Sequence, residues 1–195
     1  MHVLLLARHG QSKLNAAGLV NGDSRLDPGL SDQGIEEARR LGSQIAAIAI
    51  DVCVVSNFPR AQQTAGIAIG ESRASTPRIV DPELGDVRIG DLEGQPLQVY
   101  RDWKHGHRRD EPFPGGESLD DAARRYAAAF ERLLERNEET IFCVCHEIPV
   151  RYAVNAAAGS EDLDRPIHDI ANAAPYVFDA AGLGRAVAGI RELLS

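Results

Sequence analysis

The chain has 195 residues, 44% of them hydrophobic and 26% charged, and a formal net charge of −8 at pH 7. That balance supplies enough apolar surface for one core, and it excludes disordered, collagen-like and small disulfide-stapled chains. The acidic excess argues against a nucleic-acid partner, yet it leaves room for a local basic pocket that takes an anionic small molecule.

In chain order, Val3–Ala7 reads as a short buried strand that runs directly into Arg8-His9-Gly10. With no basic stretch before it, this start does not read as a signal peptide. Ser31 to Ala49 reads as a helix capped by Ser31, because Ile35, Ala38, Leu41, Gly42 and Ile45 recur at three-to-four spacing. The longest apolar run, Ile45 to Ile50, is six residues, against about 20 for a membrane span. Val52–Val55 is a second buried strand, and Pro59 opens a helix to about Ile69.

The stretch from Gln95 to Gly116 carries three prolines and little periodicity, and it reads as a long loop that serves as a lid or substrate loop. Ser118 opens a further helix with Asp121 as capping-box partner, and Leu119, Ala122, Tyr126, Phe130 and Leu133 form its apolar face. Ile141–Cys145 is a third buried strand, followed by a helix to about Ala158. Tyr176–Phe178 and Val187–Ile190 are weaker strand candidates. Strands alternating with amphipathic helices, without a repeat or linker, predict a single α/β domain over residues 1–195. The architecture expected is a three-layer α/β/α sandwich with a mostly parallel central sheet.

Three cysteines, an odd number without framework spacing, fit a reducing cytoplasm. Cys143 and Cys145 read as small core residues of a strand, because no further ligands stand at zinc-like spacing.

The chemistry concentrates where strands end. Val3–Ala7 delivers Arg8 and His9, Val52–Val55 is followed by Ser56-Asn57-Phe58-Pro59-Arg60, and Ile141–Cys145 delivers His146. Open α/β sheets bind ligands beyond the carboxyl ends of their strands. Any one of these residues alone reads as a surface group or half of a weak ion pair. Two Arg and two His converging on one edge read as an anion site.

Arg8-His9-Gly10-Gln11-Ser12-Lys13-Leu14-Asn15 resembles the opening signature of the histidine phosphatase superfamily, also called phosphoglycerate-mutase-like. Leu30-Ser31-Asp32-Gln33-Gly34, Ser56-Asn57-Phe58-Pro59-Arg60-Ala61, Gly90-Asp91-Leu92-Glu93-Gly94, Pro114-Gly115-Gly116-Glu117-Ser118 and Val144-Cys145-His146-Glu147 follow in that family's order. The resemblance implies a metal-independent phosphatase without a cofactor, acting on a small phosphomonoester. His9 would be the nucleophile that forms a phosphohistidine, with Arg8, Arg60 and His146 binding the phosphoryl oxygens.

Asn15 carries over as a further donor, Gln11 stands where many relatives have Glu, and Asn21 with Gly22 match a loop lining the site. The family's general acid is a glutamate whose position is held here by Asp86, one methylene shorter, with Glu83 as the second choice. Glu147 either raises the pKa of His146 or acts only as a favourable first-turn acid of the next helix. The basic residues Arg101, Lys104, His105, His107, Arg108 and Arg109 read either as a second anion contact or as a solvated loop. The alternatives are a 2,3-bisphosphoglycerate-dependent phosphoglycerate mutase and, in another class, a non-catalytic phospho-ligand binder. The substrate within the phosphomonoesters and the oligomeric state are not legible in one chain.

Overall fold

In the computed structural model, residues 1–70 and 73–195 are described. Five strands, β1 (Val3–Arg8), β2 (Val52–Val55), β3 (Arg78–Val80), β4 (Thr140–Cys145) and β5 (Pro175–Asp179), form one sheet in the order β3-β2-β4-β1-β5. All neighbours are parallel except β5, which pairs antiparallel with β1 at one edge.

Side chains of a strand alternate between faces, so β1, β2 and β4 each feed two cores. Leu4, Leu6, Val52, Val54, Ile141, Cys143 and Cys145 enter one apolar cluster; Leu5, Ala7, Cys53, Val55, Phe142 and Val144 enter the other. Burial on both faces is why these strands read as continuous apolar runs.

The helices are α1 (Lys13–Ala16), α2 (Asp32–Gln44), α3 (Pro59–Ile69), α4 (Leu97–Gly106), α5 (Leu119–Leu134), α6 (Glu147–Ala157) and α7 (Ala180–Glu192). Leu41 of α2 and Ala61, Ala65 and Ala68 of α3 close the second cluster. Tyr126 and Phe130 of α5, Val150 of α6, and Leu183 and Ile190 of α7 close the first. The result is the expected three-layer sandwich. Ser31 caps α2 by accepting from the Gly34 N–H at 3.1 Å, and Ser118 and Asp121 form the expected capping box on α5.

Three elements differ from the sequence expectation. The helix expected to reach Ala49 stops at Gln44, where the chain turns through Ile45–Ile48 so that Ile45 packs into the core and the chain enters β2. Val187–Ile190 is helical. It lies in α7, where Asp179 caps the start and Leu183, Ala186, Val187 and Ile190 form one buried stripe at helical spacing. The presumed loop Gln95–Gly116 contains α4. Tyr100 and Trp103 of that helix lie on Phe113, with ring centroids 5.4 and 4.1 Å away, which ties the helix down despite the flanking prolines.

The turn after β1 presses against the start of α2. A Cβ on Gly34 would sit 2.1 Å from the Gln11 carbonyl oxygen, and one on Gly10 would sit 2.5 Å from that of Gly34. Only glycine allows this approach, and it sets where His9 emerges.

Candidate active site

The strand ends meet as anticipated. The His9 N–H donates to the Cys145 carbonyl at 3.0 Å and the Ser56 N–H to the Val144 carbonyl at 3.2 Å, extending the ladder past β1, β2 and β4. Arg60 sits in the first turn of α3, whose N-terminus is capped by a carboxylate from elsewhere. Asp27 Oδ2 accepts from the Arg60 backbone N–H at 2.9 Å and lies 3.6 Å from its Nη1.

His9 is 2% exposed. Its Nδ1 lies 2.6 Å from the Gly10 carbonyl oxygen, which only accepts, so Nδ1 carries the proton. Nε2 therefore holds a lone pair, and it accepts from Arg60 Nε at 3.0 Å. Burial, together with the charges of Arg60, His146 and Arg8, holds the pKa of His9 well below its ordinary 6.5. The ring is neutral, with the Nε2 lone pair turned toward Arg60.

His146 lies beside it, with ring centroids 5.2 Å apart. Its Nε2 is 2.9 Å from Ser56 Oγ; its Nδ1 is 3.2 Å from Arg60 Nη2 and 3.4 Å from Asp86 Oδ2. Burial lowers its pKa to about 4, although the Asp86 charge works the other way. Asp86 also accepts from Arg60 Nη2 at 3.0 Å. Burial pushes its carboxyl up, but His146 and Arg60 outweigh that and hold it well below the usual carboxylate range. One side chain, Arg60, thus touches His9, His146 and Asp86 at once.

Not every residue singled out in the sequence joins this cluster. Asn21 does, accepting from Arg60 through both its side-chain and backbone oxygens, and the Gly22 N–H donates to Glu93 at 2.8 Å beside it. Gln11 turns away: its Oε1 accepts from Ser31 Oγ at 2.8 Å, at the start of α2. Asn15 is exposed, and its Oδ1 is engaged in the capping box of α1. Glu83 does not line the cavity beside Asp86; its carbonyl accepts from Arg125 at 2.6 Å.

Glu147 stands in the first turn of α6, as the second of the two readings has it. It does not reach His146, whose pKa is lowered, and instead bridges Arg8 and Arg151 at 2.9 and 3.0 Å. Sequence reasoning missed Arg125. This α5 residue donates to the carbonyls of Glu83, Gly85 and Asp86 and so holds the backbone that carries the carboxylate. The available clue was a charge beside the apolar stripe of α5. Asp27, Thr64 and Glu37 escaped for a related reason: each acts on a backbone N–H far away in sequence.

A cavity of about 540 Å³ opens beside Asp86, lined among others by Gly22, Asp23, Leu26, Phe58, Ile89 and Glu93. Among the described residues no group of three or more His, Cys, Asp or Glu is arranged to hold a metal ion, and no helix is long and apolar enough to cross a membrane.

The two buried neutral imidazoles make stability pH-dependent. Below 6.5 the unfolded chain binds protons that the folded chain refuses. Stability is therefore complete above 6.5 and falls as pH drops toward about 4, the value for His146. The thermal midpoint is expected to fall over that interval, and less steeply in His146→Gln. An equally steep fall in the variant would remove His146 as a source.

Comparison with known proteins matches residues 4–192 to the sequence model of the histidine phosphatase superfamily (branch 1). The 2,3-bisphosphoglycerate-dependent phosphoglycerate mutase of Methylobacterium sp. (strain 4-46) is 41% identical over 63% of this chain and 63% of its own, less than two thirds of that enzyme's length. The protein of the same name from Parvibaculum lavamentivorans is 33% identical over 95% of this chain and 94% of its own. The crystal structure of the alpha-ribazole phosphatase from Shigella flexneri superimposes with a TM-score of 0.78 over 91% of this chain and 90% of that one, at 24% identity, a likeness of fold.

Proposed function

This chain belongs to the histidine phosphatase superfamily, and we propose that it is a metal-independent phosphatase hydrolysing small phosphomonoesters through a phosphohistidine on His9. The observation that carries this reading is the neutral His9, its Nδ1 proton tied to the Gly10 carbonyl and its Nε2 lone pair facing Arg60.

Nε2 attacks phosphorus as the bond to the ester oxygen breaks, and Asp86 gives that oxygen its proton. Water then attacks the phosphohistidine, the Asp86 carboxylate takes its proton, and the P–N bond breaks to release inorganic phosphate and restore the lone pair. Arg8, Arg60 and His146 hold the three equatorial oxygens, where most of the charge lies in phosphoryl transfer. Held well below the usual carboxylate range, Asp86 carries no proton of its own. A bound dianion offsets the charge of Arg60 and raises the carboxyl's pKa, so the acid takes its proton with the substrate. Asn21 orients Arg60, Gly22 shapes the adjoining cavity, and Gln11 and Asn15 hold the starts of α2 and α1.

The mutase reading is favoured by the names of the two curated relatives. A mutase must hold a second phosphate, and three cations of the 101–109 segment are already engaged by carboxylates. Arg108 pairs with Asp110 at 2.9 Å, Arg109 with Asp120 at 3.1 Å and with Asp164, and Lys104 lies 3.9 Å from Asp164. Phosphatase is the better reading. Three unpaired thiols, Cys53, Cys143 and Cys145, all buried, support a place in the cytoplasm.

An assay with EDTA present, on an aryl phosphate and a panel of metabolite phosphates, tests this. Inorganic phosphate is expected from the monoesters. Interconversion of 2- and 3-phosphoglycerate that depends on a bisphosphate, without phosphate release, would make the protein a mutase. Phosphate binding with no turnover would make it a binder.

A further inference from the structure

Glu147 opens α6, and its carboxylate joins two guanidinium groups of very different exposure. Oε2 lies 2.9 Å from Arg8 Nη1 and Oε1 lies 3.0 Å from Arg151 Nη1, with side-chain exposures of 33% for Glu147, 19% for Arg8 and 3% for Arg151. The carboxylate thus stands on the rim, between a phosphate-side arginine and solvent. Arg8 Nη1 also donates to the Ile170 carbonyl at 2.7 Å, so this nitrogen is fully engaged, whereas Arg8 Nε is buried without a partner. A phosphoryl oxygen that satisfies Nε comes within about the width of one guanidinium of the Glu147 charge.

We propose that Glu147 selects substrates by charge. It admits phosphomonoesters whose organic part is neutral or cationic and disfavours those carrying a second anionic group close to the phosphate. The proposal rests on the phosphatase reading and narrows its substrate class.

The surroundings agree. Four cations on this side already have a carboxylate: Arg8 and Arg151 share Glu147, and Arg151, Arg109 and Lys104 share Asp164. A second anion arriving beside Arg8 finds these four cations already matched and meets the Glu147 charge in a partly buried place where water and salt screen poorly. In the cavity on the other side of Asp86, Arg25 is likewise paired with Asp23 at 2.6 Å, and Glu93 stands beside it. Those carboxylates suit hydroxyl or amine groups. They do not suit another acid.

Glycerol 3-phosphate and 3-phosphoglycerate share a three-carbon skeleton and differ chiefly in one carboxylate, so they form the test pair. kcat/KM is measured for both on wild type and Glu147→Gln, a variant that keeps an acceptor for Arg8 and removes the charge. Dissociation constants for both are measured by calorimetry on His9→Ala with and without Glu147→Gln. The expected result is a wild-type preference for glycerol 3-phosphate that Glu147→Gln narrows by about tenfold, in binding as in turnover.

An unchanged ratio overturns the proposal. So does an equal loss on both esters, which would make Glu147 a positioning residue for Arg8 alone. Binding that shifts as expected in a protein that hydrolyses neither ester would uphold the selection and sink the phosphatase reading instead.

Discussion

His9→Ala is expected to lower turnover of every phosphomonoester by about 10⁴-fold or more, because it removes the atom that accepts the phosphoryl group. The fold is expected to survive. Arg60 loses one acceptor at 3.0 Å but keeps Asn21, Asp27 and Asp86, and the β1–β4 ladder does not use the imidazole. Phosphate affinity should therefore persist, since the two arginines and His146 remain. Steady-state kinetics beside circular dichroism checks the first part. Calorimetry with inorganic phosphate checks the second, and an alkaline quench followed by intact-mass measurement checks the covalent step: wild type shows a phosphoryl adduct under turnover and the variant shows none. Residual activity near the wild-type level would end the covalent mechanism.

The second large effect belongs to Asp86. Its Oδ2 reaches both Arg60 and His146, at 3.0 and 3.4 Å, although aspartate is one methylene shorter than the glutamate expected of the resemblance. The backbone carrying it is drawn in by Arg125, which donates to the carbonyls of Glu83, Gly85 and Asp86. Asp86→Ala is expected to slow alkyl phosphates, whose alkoxides need a proton, by about 10² to 10⁴-fold. An activated aryl phosphate leaves as a stable phenolate and should lose far less. Glu83→Gln should leave both nearly unchanged. Equal losses on the two ester types would take Asp86 out of the acid role, and a loss in Glu83→Gln confined to alkyl esters would move the role there.

These expectations differ in how far they could be read without coordinates. His9, Arg8, Arg60 and His146 were legible because each follows a short apolar run, and parallel strands carry whatever comes after such a run to a common edge. Asp86 was legible only through the resemblance, since no strand or helix pattern points to a loop carboxylate. Gln11 and Asn15 sit in the same opening motif as His9, yet their side chains serve a helix start and a capping box. Neighbourhood in sequence does not fix the side on which a loop residue lands. The helical state of Val187–Ile190 escaped for a different reason. Four residues cannot separate a strand from a helix, and only the longer stripe from Leu183 to Ile190, packed on the sheet, decides it.

What the sequence by itself determined is therefore the alternation of elements, the layered architecture and the identity of the groups at three strand ends. All of these follow from local periodicity and chain order. What only the tertiary structure decided is the electrical state of those groups: which nitrogen of His9 carries the proton, that His146 is neutral, and that Glu147 faces Arg8 and not its neighbour His146. Burial and charge act through space on a scale of a few ångströms, and partners such as Arg60 for His9, Asp86 for His146 and Arg8 for Glu147 reach each group from separate parts of the chain.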